Sequence, residues 1–569
     1  MLNQSLPSNP SATEAKNNSY PISAPFNFLD KIIQMTLAVV VALYAVFMAK
    51  YHQLPFEDAA MLMRYSQNVA QGHGIVFNIG QAPVDGATDF LFMAVLAAVS
   101  KTGLSLENSV YVLGLVCHLL TTLLMYETIR RVAGASRWMA SVSALFLALG
   151  PGLDYVNMGF GTPFFAVFAA LTWRFALCIA QQEMPSSGSA VAFAFSGLLL
   201  GLVRPEGVLL ALFMLFGLLY FRGLSHARPA VLAFLGIFGI LGGAYFLWRW
   251  HYFGYPLPNP FYKKGGGHFY LSGLHESLHY VLLMNSVFLL GLLAGLGFKE
   301  TRRRALFALI PITGFTAVWV LLSNEMNHAG RFQYALYPVV LMSWPFVYAQ
   351  GLQSPRVPVW KSLNKKIQAA TAIPFAAVLL LSLGYQHQQL HHEALLRSYH
   401  DMNYDVALAL KPYSSNDYTI ATTEGGIVPL YSHWQAIDLW GLNDQWIAHH
   451  TYVSAAYLDR FRPEVIEIHG PPALMPQDMK GRPIRDIPQQ WLVMVGLLNQ
   501  YVKDRHYVVA RRFDDTSFRS HYSTGFTYAY YVRPDFPQSR EIANRLRTLS
   551  FPPAWDPFIK SNISPSNQK

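Results

Sequence analysis

The chain is short of cysteine, of charge and of acidic residues, and each shortage excludes something. Cys117 and Cys178 are its only cysteines in 569 residues, and both fall inside apolar runs. Neither a disulfide framework nor a cysteine metal site is expected from them. Charged residues make up 13%, against roughly 25% in ordinary soluble domains. There is no P-loop and no dinucleotide fingerprint, so a nucleotide-dependent site is not expected. There is also no apolar core followed by a small-residue cleavage site at the start. Residues 1–28, rich in Ser, Asn and Pro, read as a disordered tail, and the first apolar run as an uncleaved span. The formal charge of +10 reads as loop charge that fixes orientation in a bilayer, not as a nucleic-acid footprint, because the basic residues cluster between apolar runs.

The chain has a 53% share of hydrophobic residues, arranged in runs long enough to cross a bilayer, which takes about 20 helical residues. Spans are expected near residues 34–50, 107–129, 137–151, 162–181, 188–203, 206–221, 229–250, 277–298, 305–322, 333–350 and 368–386. That is about eleven transmembrane helices in a polytopic α-helical membrane protein. The basic loops around Arg130–Arg137, Arg222–Arg228, Lys299–Arg304 and Arg356–Lys366 then share one side with the N-terminal tail, and the positive-inside rule makes that side cytoplasmic. This parity requires that residues 88–103 do not cross. At about 1.5 Å per residue their apolar stretch barely reaches across the hydrocarbon, so it reads as a helix lying in or dipping into the outer leaflet. The expected organisation is a tail over 1–33, a membrane domain over 34–386 with a first outer loop at 51–106, and an extracytoplasmic α/β domain over 387–569. Strand-like segments in that last part include Tyr418–Ala421, Val465–Ile468, Tyr507–Ala510 and Phe526–Tyr531, with helical patterns near 393–411 and 487–503.

With this orientation the segments of unusual polar chemistry, 51–87, 151–161, 204–206, 251–275 and 323–331, all face outward. Glu57-Asp58 is foremost among them, because acids that close to a bilayer are costly and mark a functional site by default. They would open a helix over 57–70, where the macrodipole favours negative charge, so N-terminal capping by Asp58 is an even alternative. Arg204 could pair with Glu206 or meet a phosphate; a Pro-Gly turn with a solvated ion pair explains Val203-Arg204-Pro205-Glu206-Gly207 equally well. Tyr252–Gly267 mixes aromatics and prolines with Lys263 and Lys264, suited to a groove and a phosphate or to an aromatic interface belt. Arg331, after Asn327 and His328, is an outer-face cation or a snorkelling helix end.

Taken together these residues resemble the C-type membrane glycosyltransferases. Glu57-Asp58-Ala59, Arg64-Tyr65 and Gly72-His73-Gly74-Ile75-Val76-Phe77-Asn78 are similar to that family's Asp-Asp-Ala…Arg-Tyr…Gly-His-Gly-x-x-Phe-Asn signature, in particular in the branch of mycobacterial terminal β-(1→2) arabinofuranosyltransferases. Arg204-Pro205-Glu206-Gly207, Leu257-Pro258-Asn259-Pro260-Phe261-Tyr262-Lys263-Lys264, Gly330-Arg331-Phe332 and Asp438-Leu439-Trp440-Gly441-Leu442-Asn443-Asp444 resemble further motifs of the branch, in the same order. The resemblance spans roughly residues 34–470. The chain departs from the pattern with Glu57 for the first aspartate, Gly161 where Gly-x-Glu-Thr is usual, and Pro260 for a threonine.

The resemblance implies transfer of a sugar, with arabinofuranose as the best match, from a polyprenyl-phosphate donor to a glycan, glycolipid or protein acceptor, on the outer face of a bacterial inner (cytoplasmic) membrane. An inverting transfer needs a base for the acceptor hydroxyl, and the departing phosphate needs cations or amide donors. On this reading Asp58 is the base and Glu57 orients it or shares its work. Arg204, Lys263, His328 and Arg331 are candidates for the donor phosphate, and Asn259 and Tyr262 shape the donor groove. Arg64, His73 and Glu206 join the binding set, while Asn443 and Asp444 meet the acceptor. No metal ligands are assigned, although a divalent cation bridging Glu57 or Asp58 to phosphate is left open as a cofactor. The competing readings are a mannosyl or other hexosyl donor, a lipid-linked sugar flippase or transporter, and a non-catalytic scaffold.

Overall fold

A computed structural model describes residues 26–51, 54–264, 269–349, 365–391, 402–471, 474, 489–514 and 526–550. The protein is a polytopic bundle of membrane helices carrying a C-terminal α/β domain. Seven described helical segments are long and apolar enough to cross a membrane: Phe28–Met48, Leu106–Val132, Arg137–Asn157, Thr162–Gln181, Leu224–Phe253, Leu271–Gly297 and Lys299–Val320. The other four expected spans are also helical, over Ser187–Val203, Glu206–Arg222, Leu336–Tyr348 and Lys365–Gln386. The first helix shows how the bundle sorts its faces. Leu37, Val41, Ala45 and Met48 are buried, while Met35, Leu43 and Val46 stay exposed, as apolar residues facing lipid would.

The structure moves one boundary. The expected tail to residue 33 ends earlier, because the first helix begins at Phe28, capped by Asn27, whose side chain accepts from the Leu29 and Asp30 amides. Asp30 and Lys31 make the segment look polar in the sequence. Asp30, however, is fully buried and bonded by Tyr126 (2.9 Å), Arg130 Nε (2.9 Å) and Arg137 (3.2 Å). A buried carboxylate is tolerated when cations and donors surround it this way. The same contacts put the start of the first helix and the Arg130–Arg137 loop at one end of the bundle, as the parity of the basic loops requires. The short apolar stretch between them forms an 11-residue helix, Phe90–Ser100, about 16 Å long at the α-helical rise. It packs on the helix Glu57–Ala70, with Ser66 Oγ donating to the Met93 carbonyl at 3.1 Å.

The C-terminal domain is built on a five-stranded sheet in the order β2-β1-β3-β5-β4. The strands are β1 (Thr419–Thr422), β2 (Gln435–Asp438), β3 (Val465–Gly470), β4 (Val508–Asp514) and β5 (Thr527–Val532). β1 runs parallel to β2 and β3, while β5 is antiparallel to β3 and β4. The two-residue periodicity of strands divides the side chains between two cores. Ile420, Ala436, Val465 and Tyr530 face the first core, together with Tyr65, Phe77 and Met93 of the first loop. Ala421, Ile437, Ile466 and Tyr531 face the second, beneath the helix Gln489–Asp504. The sheet thus rests directly on the loop that carries Glu57 and Asp58.

Candidate active site

The helix Glu57–Ala70 starts from an extended Phe56, whose amide bonds the Met158 carbonyl at 3.1 Å. Asp58 does not cap it: the cap position is Phe56, without a side-chain bond, and both acids lie in the first turn. Their side chains part company. Glu57 Oε2 accepts the Ile427 amide of the C-terminal domain at 2.8 Å. A Cβ on the neighbouring Gly426 would come within 2.1 Å of the Glu57 carbonyl oxygen, so only glycine lets the two segments meet. Asp58 instead turns toward a cavity of about 310 Å³ and pairs with Arg331 there.

That cavity collects segments far apart in the chain. Its wall includes Asp58, Asp89, Phe160, Arg204, Glu206, Pro258, Lys264, Trp319, Glu325 and Arg331. Arg204 Nε bonds Glu206 at 2.6 Å, and its NH1 lies 3.4 Å from Asp89. The Arg204 guanidinium also sits 4.6 Å over the Phe332 ring, and that of Arg331 lies 3.9 Å over Phe160. Burial pushes the Asp89 carboxyl above its usual range, and Arg204 pulls it back. The result is two guanidinium groups fixed by carboxylates and aromatic faces, in a chamber whose apolar wall includes Leu257, Pro258, Pro260, Leu321 and Leu322. Fixed cations in such a chamber suit a negatively charged leaving group. At the place where a divalent cation would bridge to phosphate, Glu57 accepts from the Ile427 amide and Asp58 accepts from Arg331.

Of the residues expected in the site, Asp58, Arg204, Glu206 and Arg331 line the cavity. The structure places the others off the cavity wall, on partners of their own. Arg64 is buried and donates to the carbonyls of Phe77 (2.6 Å), Pro429 and Trp434 (2.8 Å) and to Asn78 Oδ1 (3.0 Å). It clasps the first loop to the C-terminal domain through four of its five N–H donors. Asn443 Nδ2 bonds Asp438 at 2.9 Å, and Asp444 caps the helix Gln445–His450 while accepting from Tyr457 at 2.7 Å. Asp444 holds the domain's own loop, and Asn443 also donates to Met61 Sδ of the first loop at 2.9 Å. Lys263 donates to the Thr451 carbonyl and lies 4.4 Å over the Trp440 ring, with burial lowering its pKa to about 8; the lysine on the cavity wall is Lys264. Tyr262 packs on His449 at 4.3 Å between ring centroids. The buried Asn259 is held through its backbone amide on the Asp85 carbonyl. His328 packs between Phe56 and Phe160, behind the wall, and His73 is exposed on the turn after the helix. Glu57 serves the domain contact described above.

Sequence reasoning missed Asp89 and Glu325 as wall residues, while Lys264 was singled out with Lys263 for a phosphate. Asp89 sits at the cap position of Phe90–Ser100, where an acid is common and gives no separate signal; Glu325 lies in the outward segment 323–331. The Gly161 departure has a steric reason: a Cβ there would approach Phe92 Cδ1 to 2.7 Å.

Comparisons with known proteins agree with this architecture. A family described as a domain of unknown function (DUF8728) matches residues 388–531. No curated protein matches the chain. Among solved structures, the archaeal oligosaccharyltransferase AglB from Archaeoglobus fulgidus, in complex with an inhibitory peptide and a dolichol-phosphate, is similar with a TM-score of 0.50 and 12% identity, over 90% of this chain and 75% of that one. ArnT from Cupriavidus metallidurans, bound to undecaprenyl phosphate, gives 0.47 and 16%, over 73% and 86%. The mycobacterial arabinofuranosyltransferase AftD gives 0.46 and 14%, over 87% and 41%. The polytopic fold of this chain is similar to that of the oligosaccharyltransferase AglB.

Proposed function

We propose that this protein is a membrane glycosyltransferase that takes a sugar from a polyprenyl-phosphate donor and transfers it to a cell-envelope acceptor by single displacement with inversion. The observation that carries the reading is the wall of the cavity, where Asp58 and two anchored guanidinium groups, Arg204 and Arg331, meet in one apolar chamber. AglB, of the same fold, is described with a dolichol-phosphate bound, which supports a lipid phosphate as the donor's carrier.

In the proposed reaction Asp58 takes the proton from the acceptor hydroxyl as the sugar–phosphate bond breaks. The transition state carries oxocarbenium character, as in glycoside hydrolysis. Negative charge grows on the departing phosphate, and Arg331 and Arg204, with Lys264 near the groove, compensate it. Arg331 touches both partners in this scheme: it orients the base before transfer and meets the phosphate as it leaves. The Leu257–Phe261 segment supplies an apolar wall for the lipid end. Arabinofuranose is the preferred sugar on the motif resemblance, and the membrane face carrying the site is taken as the outer one from the basic loops.

The test is transfer of labelled sugar in membranes containing the protein, with polyprenyl-phosphate arabinose or a hexose donor, beside Asp58→Asn. Label that reaches product only with intact Asp58 supports the mechanism, and the donor that works names the sugar. Failure with every polyprenyl donor, in folded protein, would sink the reading in favour of transport or scaffolding.

A further inference from the structure

The cavity chemistry uses none of three side chains that meet at the junction of the bundle and the C-terminal domain. Asp154 lies in the short helix Gly152–Asn157, at the end of the third long membrane segment. His387 and His391 stand four residues apart on the π-helical turn His387–His391 that continues the helix Lys365–Gln386. One ligand atom from each of the three lies within 4.8 Å of the others. His391 Nδ1 is 2.6 Å from Asp154 Oδ1, and the two imidazoles lie nearly parallel, 13° apart, with centroids 4.3 Å apart. Asp154 is 2% and His391 7% exposed, while His387 reaches solvent.

A buried carboxylate at the edge of a membrane bundle is expensive and is held for a partner. Two imidazoles presented from one helical turn, with one carboxylate from a second element, form a donor set suited to zinc. Three protein ligands leave its fourth position to water, here on the exposed His387 side. The arrangement was not legible in the chain, because Asp154 and His391 are 237 positions apart.

We propose that Asp154, His387 and His391 form a zinc site that staples the loop after the third span to the end of the last described membrane helix. Asp154 is six positions before Phe160, whose ring supports Arg331. Metal binding would thereby stiffen the element behind the cavity without entering it.

The experiment uses the full chain in lipid nanodiscs, stripped with a chelator and reloaded with Zn²⁺. Bound zinc is measured by elemental mass spectrometry, and Co²⁺ loading by its visible absorption. We expect one zinc per chain, a tetrahedral cobalt spectrum and a rise in unfolding temperature on loading. All three should be lost in His387→Ala and in His391→Ala and kept in Asp58→Asn and Glu57→Gln. Wild type that binds no zinc overturns the proposal. So does zinc retained in His387→Ala, which decides alone if His391→Ala fails to fold. Loss of zinc in Asp58→Asn with retention in the histidine variants would put the metal at the cavity and equally overturn it.

Discussion

Arg331 and Asp58 stand 273 positions apart in the chain and form a direct ion pair on the wall of one cavity. The guanidinium is buried beneath the ring of Phe160, so the pair cannot swing freely into solvent. It holds the carboxylate in one orientation and keeps a fixed positive charge beside it.

If Asp58 is the base, Asp58→Asn should lower the transfer rate by about 10²–10⁴-fold. Its unfolding temperature should fall as well, because the buried Arg331 loses its counter-charge. Initial rates with a labelled donor, compared at equal amounts of folded protein, check this. Near-normal transfer would remove Asp58 from the mechanism.

Arg204 lies between Asp89 and Glu206. Removing the cation leaves two buried carboxylates facing each other, which for a buried pair costs about 3–5 kcal/mol. Arg204→Gln should therefore unfold at markedly lower temperature. Adding Asp89→Asn and Glu206→Gln in that background should restore most of the stability but not the transfer. Thermal unfolding and activity of the single and combined variants separate the two effects.

Arg64 should behave as a clasp. Arg64→Ala orphans the carbonyls of Pro429 and Trp434, each worth about 1–3 kcal/mol when buried and unsatisfied. Limited proteolysis should then cut between the first loop and the C-terminal domain. Arg64→Lys should not repair it, because an ammonium cannot reach four acceptors spread around a planar fork. Unchanged protease resistance in Arg64→Ala would contradict the assignment.

Gly426 should tolerate no side chain. Gly426→Ala drives a Cβ into the Glu57 backbone, and a backbone neighbour cannot yield as a flexible side chain can. The expected outcome is loss of both domain docking and transfer; normal proteolytic resistance would show that the contact is dispensable.

Glu467 gives a pH signature outside the membrane. Burial, and then the nearby Glu424, raise its pKa from 4.5 to about 7. Folding thus favours the protonated acid. The stability it contributes is complete below pH 4.5 and is lost as pH rises through about 7. Glu467→Gln should flatten the fall in unfolding temperature across that window. A slope identical to wild type would assign the pH dependence to other groups.

Much of this protein was written in local pattern. Apolar runs of membrane length, the strand-like stretches of β3 and β5, and the short reach of Phe90–Ser100 follow from nearest-neighbour chemistry, which a linear reading captures. The motifs around Asp58, Arg204 and Arg331 could likewise be picked out one by one. Their partnership could not, because it depends on which buried charge finds which counter-charge after the helices pack. Arg64 carries the same guanidinium as Arg204, yet the fold gives its donors to backbone carbonyls and to Asn78. Lys263 and Lys264 are neighbours in sequence, and the turn of one short helix sends the first under Trp440 and the second to the cavity. Polar groups in a low-dielectric interior must each find a partner, and only the tertiary arrangement decides which of them are left to meet a substrate.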